Sequence, residues 1–174
     1  MKLNIVLVEP EIPSNTGNIS RTCSVIGAAL HLVHPLGFDI SEKQVRRAGL
    51  DYWSELELHE YNSFDEVKKK YPDGEFFYCT TKGKKTYSDM DYKSVSDSGR
   101  EIFLVFGKET KGLPEKLLSE NYDSCIRIPM GINMRSLNLS NAAAIIAYEV
   151  LRQHEFVGLQ VEGSLRDFEP SIAN

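Results

Sequence analysis

Three stretches place polar side chains directly after apolar runs, where a strand would hand over to a loop. In "PSNTGNISR", Arg21 follows two amides, Asn15 and Asn18. In "VFGKETKGLP", the carboxylate of Glu109 sits two residues past Gly107, between Lys108 and Lys111. In "IPMGINMRSLNLSN", an arginine, Ser136, Asn133, Asn138 and Asn141 crowd the entrance to an apolar segment running from Ala142 to Ala147. One capping side chain satisfies the first orphan amides of a helix. A surplus needs another reason, because an unpartnered buried amide or hydroxyl costs roughly 1–3 kcal/mol. These groups must bond one another or a ligand. The chemistry open to them is recognition. Arg21 suits either a surface position beside an ordinary capping turn or an anion or substrate contact at a strand-to-helix turn. Gly107 permits close approach of a ligand or unusual dihedrals.

Other chemistries lack their residues. No two glycines lie two apart, which removes the G-x-G-x-x-G dinucleotide fingerprint and the Gly-rich loop of the common Rossmann-type methyltransferases. "GKETKGLP" has Leu113 and Pro114 where a Walker A loop needs Lys and Ser or Thr. There is no C-x-x-C and no H-E-x-x-H. Of four histidines, only His31 and His34 are close, and on a strand residues three apart point to opposite faces. No metal site is expected.

The elements that must position these groups alternate in type. "LNIVLVE" reads as a buried strand, followed by a turn-rich "PEIPSNTG" and a helix from near Thr16 to about Ala28. On that helix Ile19, Cys23 and Ile26 form the apolar stripe, and Arg21 lies about 200° from Ile19, facing away from the core. It would sit in the first turn or two, where the helix dipole disfavours a cation. "ALHLVHP", "LELHEY", "EFFYCTT", "EIFLVFG" and "DSCIRIP" read as further strands. "SEKQVRRAG" and "SFDEVKKKY" read as short helices, a turn at Gly112 and Pro114 leads into another, and a long apolar helix from about Asn138 closes the fold and should be buried. Alternating strands and helices, with strands apolar on consecutive residues, predict a parallel sheet covered on both faces. Ligands of such sheets lie beyond the carboxyl ends of the strands, where all three polar stretches fall.

The bulk composition adds limits. A chain of 174 residues that is 41% hydrophobic and 26% charged suits one domain of ordinary soluble type. No apolar run reaches the ~18–20 residues of a membrane span. The N-terminus shows no signal-peptide pattern. Cys23, Cys79 and Cys125 are scattered among apolar neighbours, which suits reduced thiols in a cytoplasmic protein. The net charge of -5 gives no general electrostatic case for a nucleic-acid partner. Such a partner would need local patches from Arg46 and Arg47, from Lys82, Lys84 and Lys85, and from Lys108 and Lys111. Lys68, Lys69 and Lys70 read as a solvated helix face.

In order and spacing, "NTGNISR", "FGKETKGLP" and "IPMGINMRSLNLSNAAAIIAYE" resemble the three motifs of the SPOUT methyltransferases. The resemblance runs from about Leu3 to Phe156. "RRAGLDYW", Arg46 to Trp53, narrows it to the TrmL group, which 2'-O-methylates the wobble nucleotide of leucine tRNAs, a cytidine or modified uridine at position 34.

The resemblance implies an α/β fold with a trefoil knot, a mostly parallel sheet and helices on both faces. Residues 1–156 would form a single methyltransferase domain and 157–174 a polar tail. S-adenosylmethionine would be held by groups around Cys79, Thr80, Gly107, Ile128 and Met130, with Ser136 and Leu137. Arg21 would be the catalytic centre, Asn15 and Glu109 would position it and the ribose, and Ser136 and Asn138 would bridge cofactor and substrate. Arg46, Arg47, Lys82 and Lys108 would meet RNA phosphates. The helix from Asn138, Tyr148 included, would lie in a homodimer interface. The resemblance implies neither metal nor membrane. Methylation of another tRNA or ribosomal RNA position is the main alternative, followed by a non-catalytic RNA-binding protein and a small-molecule enzyme.

Overall fold

The computed structural model describes residues 1–39 and 56–164. Arg46, Arg47, the helix expected in "SEKQVRRAG" and the whole of "RRAGLDYW" lie outside the described residues. Among the described residues seven strands form one sheet: β1 (Leu3–Val8), β2 (Ala29–Val33), β3 (Leu58–Tyr61), β4 (Glu75–Cys79), β5 (Lys85–Thr86), β6 (Ile102–Phe106) and β7 (Cys125–Arg127). Their order is β3-β2-β1-β6-β4-β7-β5, and every pairing is parallel.

The two faces of the sheet carry separate cores, as period-two alternation requires. On β1 and β6, Leu3, Ile5, Leu7, Ile102, Leu104 and Phe106 point to one face. There they meet α1 (Pro13–Ile26), α3 (Tyr92–Asp97) and α5 (Leu139–Gln153). Val6, Val8, Phe103 and Val105 point to the other face, toward α2 (Phe64–Lys70) and α4 (Glu115–Glu120). Lys68, Lys69 and Lys70 are exposed on α2, as expected of a solvated face.

Three details differ from the sequence expectation. Helix α1 begins three residues early, at Pro13, with no side-chain cap. The proline supplies a helical φ, and the Ile12 carbonyl accepts from the amides of Asn15 and Thr16. Gly27, at φ 67, ends it. Arg21 therefore lies in the third turn, beyond reach of the N-terminal dipole penalty expected for it. The second difference is α5, which is buried on one side only. Ala143, Ile146, Ala147 and Val150 are packed, whereas Ile145 and Tyr148 remain 38% and 44% exposed. The third is the segment between β4 and β6, where the short α3 and the two-residue β5 stand without any strong signal in the sequence.

One polar cluster lies inside the sheet. His31 Nε2 donates to Asn4 Oδ1 at 3.0 Å, since the Asn4 amide group is committed to Glu101 and to the Ile102 carbonyl. His31 Nδ1 then accepts from the Tyr61 hydroxyl at 3.1 Å. Burial, with help from His59, pushes the His31 pKa down to about 3, so the ring is neutral.

Candidate functional site

The loops after β1, β4, β6 and β7 leave the same edge of the sheet, because Leu7, Cys79 and Phe106 stand in register and Cys79 also pairs with Ile126. They enclose a cavity of about 550 Å³. Clefts of this size accept a small molecule of nucleoside dimensions. The β4 end contributes Cys79 and Thr80, the β6 loop Gly107 to Leu113, and the β7 loop Ile128, Met130, Ser136, Leu137 and Asn138. All seven positions expected to hold the cofactor thus line one cavity. Asn15, Glu109, Lys82 and Lys108 line it as well.

Glu109 organises the entrance. Its Oε2 accepts from the Glu11 amide at 2.8 Å. Its Oε1 accepts from the Ile12 amide at 3.2 Å and from Asn15 Nδ2 at 3.0 Å. Asn15 Oδ1 in turn accepts from Asn138 Nδ2 at 2.9 Å. Asn138 Oδ1 caps α5, accepting from the Ser140 amide and hydroxyl and from the Asn141 amide. One relay, Glu109–Asn15–Asn138, therefore joins all three polar stretches. Of the polar groups before α5, Asn138 is the cap and its other end reaches across the site, whereas Asn133, Ser136 and Asn141 are exposed, not buried as expected from the sequence.

Gly107 lines the cavity and also has a use within the loop itself. A Cβ there would lie 2.2 Å from the Gly112 carbonyl carbon and the Leu113 nitrogen. The loop folds back on itself, with the Gly112 amide donating to the Lys108 carbonyl at 2.8 Å and Gly112 at φ 68. Glycine at 107 lets the loop close. Cys79 contributes shape and main chain, since burial pushes its thiol well above the usual range and suppresses a thiolate.

Several of the patch lysines are engaged within the chain, Lys85 by donating to the Asp123 carbonyl at 2.6 Å. Lys108 pairs with Glu9 and Lys82 with Glu115. Lys84 lies over the Tyr122 ring, 5.3 Å from its centre. Arg21 is exposed on α1 and does not line the cavity of the single chain. Arg135, the arginine noted before α5, lines the cavity, as do Thr110 and Arg127, which with Glu11 were not singled out from the sequence. Glu11 was legible in principle, because "EPEIP" places carboxylates after β1 as "GKET" places one after β6.

The cavity fits S-adenosylmethionine chemically. Its lining sets apolar side chains at Ile128, Leu139, Ala142 and Ile146 beside polar ones at Asn15, Thr80 and Ser136, a mixture that suits a nucleoside-bearing cofactor. Among the described residues no group of His, Cys, Asp and Glu could hold a metal ion. No described helix is long and apolar enough to cross a membrane.

The SpoU rRNA Methylase family matches residues 2–148. The chain belongs to this family. A Geobacillus stearothermophilus relative is 54% identical across 91% of this chain and 99% of its own. A tRNA (cytidine(34)-2'-O)-methyltransferase of Saccharophagus degradans is 45% identical across 89% of this chain and 97% of its own. A solved structure described by "2-OH methylation of C/U34 on tRNA" is 36% identical, with a TM-score of 0.80, over 89% of this chain and 97% of that one. An AdoMet-bound rRNA methyltransferase from Sinorhizobium meliloti is 26% identical, with a TM-score of 0.75, over 87% of this chain and 56% of that one. The relay described above is thus built from the loops of a SpoU methylase.

Proposed function

We propose that this SpoU methylase transfers a methyl group from S-adenosylmethionine to the ribose 2'-hydroxyl of the wobble nucleotide, position 34, of leucine tRNAs. The observation that carries the reading is the Glu109–Asn15–Asn138 relay at the mouth of a nucleoside-sized cavity. The Saccharophagus relative and the C/U34 structure, each matched over nearly its whole length, support position 34. The AdoMet-bound neighbour supports the cofactor. The choice of leucine isoacceptors rests on "RRAGLDYW". Residues 1–156 act as one methyltransferase unit in the cytoplasm, with a threaded knot formed around the loops after β6 and β7.

When bound, S-adenosylmethionine supplies an electrophilic methyl on sulfonium. Cys79, Thr80, Gly107, Ile128, Met130 and Leu137, which line the cavity, would hold it. Ser136 and Asn138 would bridge it and the acceptor ribose. The residues of the relay act by positioning, which can supply about 7–11 kcal/mol of such a barrier. Arg21 acts as an orienting cation, its planar guanidinium matched to a phosphate. It holds the acceptor nucleotide through a phosphate that can take the hydroxyl proton. Asn15 and Glu109 fix the loop that leads into Arg21's helix.

Arg21 lies outside the single-chain cavity, so the active assembly is a homodimer in which α1 and α5 of two copies pack together. Support comes from the exposed Val25, Ile145 and Tyr148 on these adjacent helices. Such a dimer also doubles the lysines that face RNA. Arg46, Arg47, Lys82 and Lys108 contact phosphates, the two lysines by exchanging Glu115 and Glu9 for the nucleic acid.

The test is direct. The purified protein is incubated with isotope-labelled S-adenosylmethionine and tRNA from cells lacking this activity, and the labelled nucleoside is mapped by mass spectrometry. Label on the 2'-oxygen at position 34 is the expected result. Label at another tRNA or rRNA position would keep the fold and cofactor and replace the target. RNA binding without transfer would replace the enzyme with a binding protein.

A further inference from the structure

We propose that Glu11 is a positioning residue for methyl transfer, latching the loop after β6 to the loop after β1 and so holding the cofactor end of the cavity in shape. The proposal rests on the function proposed above and adds a residue outside its catalytic and cofactor sets. Glu11 Oε2 accepts two bonds from one residue, the Thr110 hydroxyl at 2.7 Å and the Thr110 amide at 3.1 Å. The bond in the other direction is made by the residue next to Thr110. Glu109 accepts from the Glu11 amide at 2.8 Å and from the Ile12 amide at 3.2 Å. Two dipeptides nearly a hundred residues apart, Glu11–Ile12 and Glu109–Thr110, therefore grip each other through reciprocal carboxylates.

The grip is braced from behind. Gly37, in the loop after β2, lies so close that a Cβ on it would stand 2.7 Å from Glu11 Cα. The Gly37 amide also donates to the Pro10 carbonyl at 2.9 Å. The main chain at Glu11 is thus held on one side by Glu109 and closed off on the other by Gly37. The Glu11 side chain can then transmit that fixed position to Thr110, which lines the cavity with Lys111 and Gly112. The Thr110 bonds, with Lys108 and Lys111 nearby, keep the Glu11 carboxyl below its usual range, so the bonds are charge-assisted. With two donors on one oxygen, Glu11 is built as an anchor for the loop, not as a base.

The geometry separates a positioning role from a general structural one. Both Thr110 donors meet a single oxygen, so the amide oxygen of Glu11→Gln can replace it, whereas Glu11→Ala cannot. Thr110→Ser keeps the hydroxyl and Thr110→Val removes it at nearly constant shape. The dissociation constant for S-adenosylmethionine would be measured by calorimetry, together with the KM–kcat split and the hydrogen exchange of amides 107–113. Glu11→Ala and Thr110→Val are expected to raise the cofactor dissociation constant by about tenfold, the worth of one lost charged hydrogen bond. KM for the cofactor should rise more than kcat falls, and exchange at 107–113 should speed up. Glu11→Gln and Thr110→Ser should stay within about threefold of the parent protein. Thr110 sits on an exposed loop, so Thr110→Val serves if Glu11→Ala folds poorly. Affinity and exchange unchanged in Thr110→Val would overturn the clasp, as would equal losses in Glu11→Ala and Glu11→Gln. A parent protein that fails to bind S-adenosylmethionine would overturn the proposed function and the clasp with it, whereas parental binding that the variants leave unchanged would overturn the clasp alone.

Discussion

Asn15 and Asn138 lie 123 residues apart in the chain and are joined by a 2.9 Å hydrogen bond, Asn138 Nδ2 donating to Asn15 Oδ1. Each is already committed elsewhere, Asn15 to Glu109 and Asn138 to the first amides of α5. The pair therefore fixes the entrance of α5 to the entrance of α1 at the mouth of the cavity.

Asn138→Asp separates the two duties of that residue. A carboxylate still caps α5, but it has no donor to give the Asn15 oxygen. The thermal midpoint should stay close to that of the parent protein while kcat falls by about tenfold or more. Asn138→Ala should lose the cap too, at about 1 kcal/mol of stability. Calorimetric unfolding with single-turnover assays checks both, and a fully active Asn138→Asp would remove the relay from the mechanism.

Glu109→Gln should be more damaging than its size suggests. The carboxylate accepts three hydrogen bonds, from two amides and one side chain. An amide in its place turns an NH2 toward a donor, and two of the three donors are half-buried, where losing a match costs more than at the surface. A fall of about ten- to a hundredfold in kcat/KM is expected. Parental kinetics would show that the loops do not need the carboxylate.

Gly107→Ala should weaken the fold as well as the cofactor site. The new methyl would meet main chain 2.2 Å away, at Gly112 and Leu113, so the loop must open. Overpacking of this kind costs about 1–3 kcal/mol. Denaturant unfolding alongside cofactor calorimetry should show both losses. Loss of affinity at unchanged stability would mean that the glycine serves ligand approach alone.

His31 gives the fold a pH dependence of known sign. Its folded pKa of about 3 lies below the ordinary value of about 6.5. Between these values the unfolded ring binds a proton that the folded ring refuses, so stability is present above pH ~6.5 and is lost as pH falls toward ~3, by up to about 1.4 kcal/mol per pH unit from this group. Comparing urea midpoints of the parent and His31→Gln across this range isolates the contribution. Identical pH slopes would contradict the neutral, buried assignment.

The parts of the fold that were legible in the sequence are those whose own residues decide them. β1 and β6 are apolar on consecutive residues because both faces of the sheet are covered, and this pattern marks them as central strands. The start of α1 was misplaced because asparagine and threonine advertise a cap, while Pro13 and the Ile12 carbonyl do the work without one. β5 exists because β7 pairs with it, a tertiary fact absent from two residues, Lys85 and Thr86. At the site, Asn15, Glu109 and Asn138 stood out as polar groups in excess of capping needs. Their pairing was not legible, since it depends on a strand order that brings positions 94 and 123 residues apart into contact. Glu11 was missed for the same reason, its partner Thr110 being 99 residues away.

The most direct test of the account is methyl transfer to two versions of one leucine tRNA, the natural molecule and one carrying 2'-deoxyribose at position 34 alone. With labelled S-adenosylmethionine and the full-length chain, the account predicts incorporation into the first and none into the second. Equal incorporation into both would contradict it, because the acceptor could not then be the wobble ribose hydroxyl.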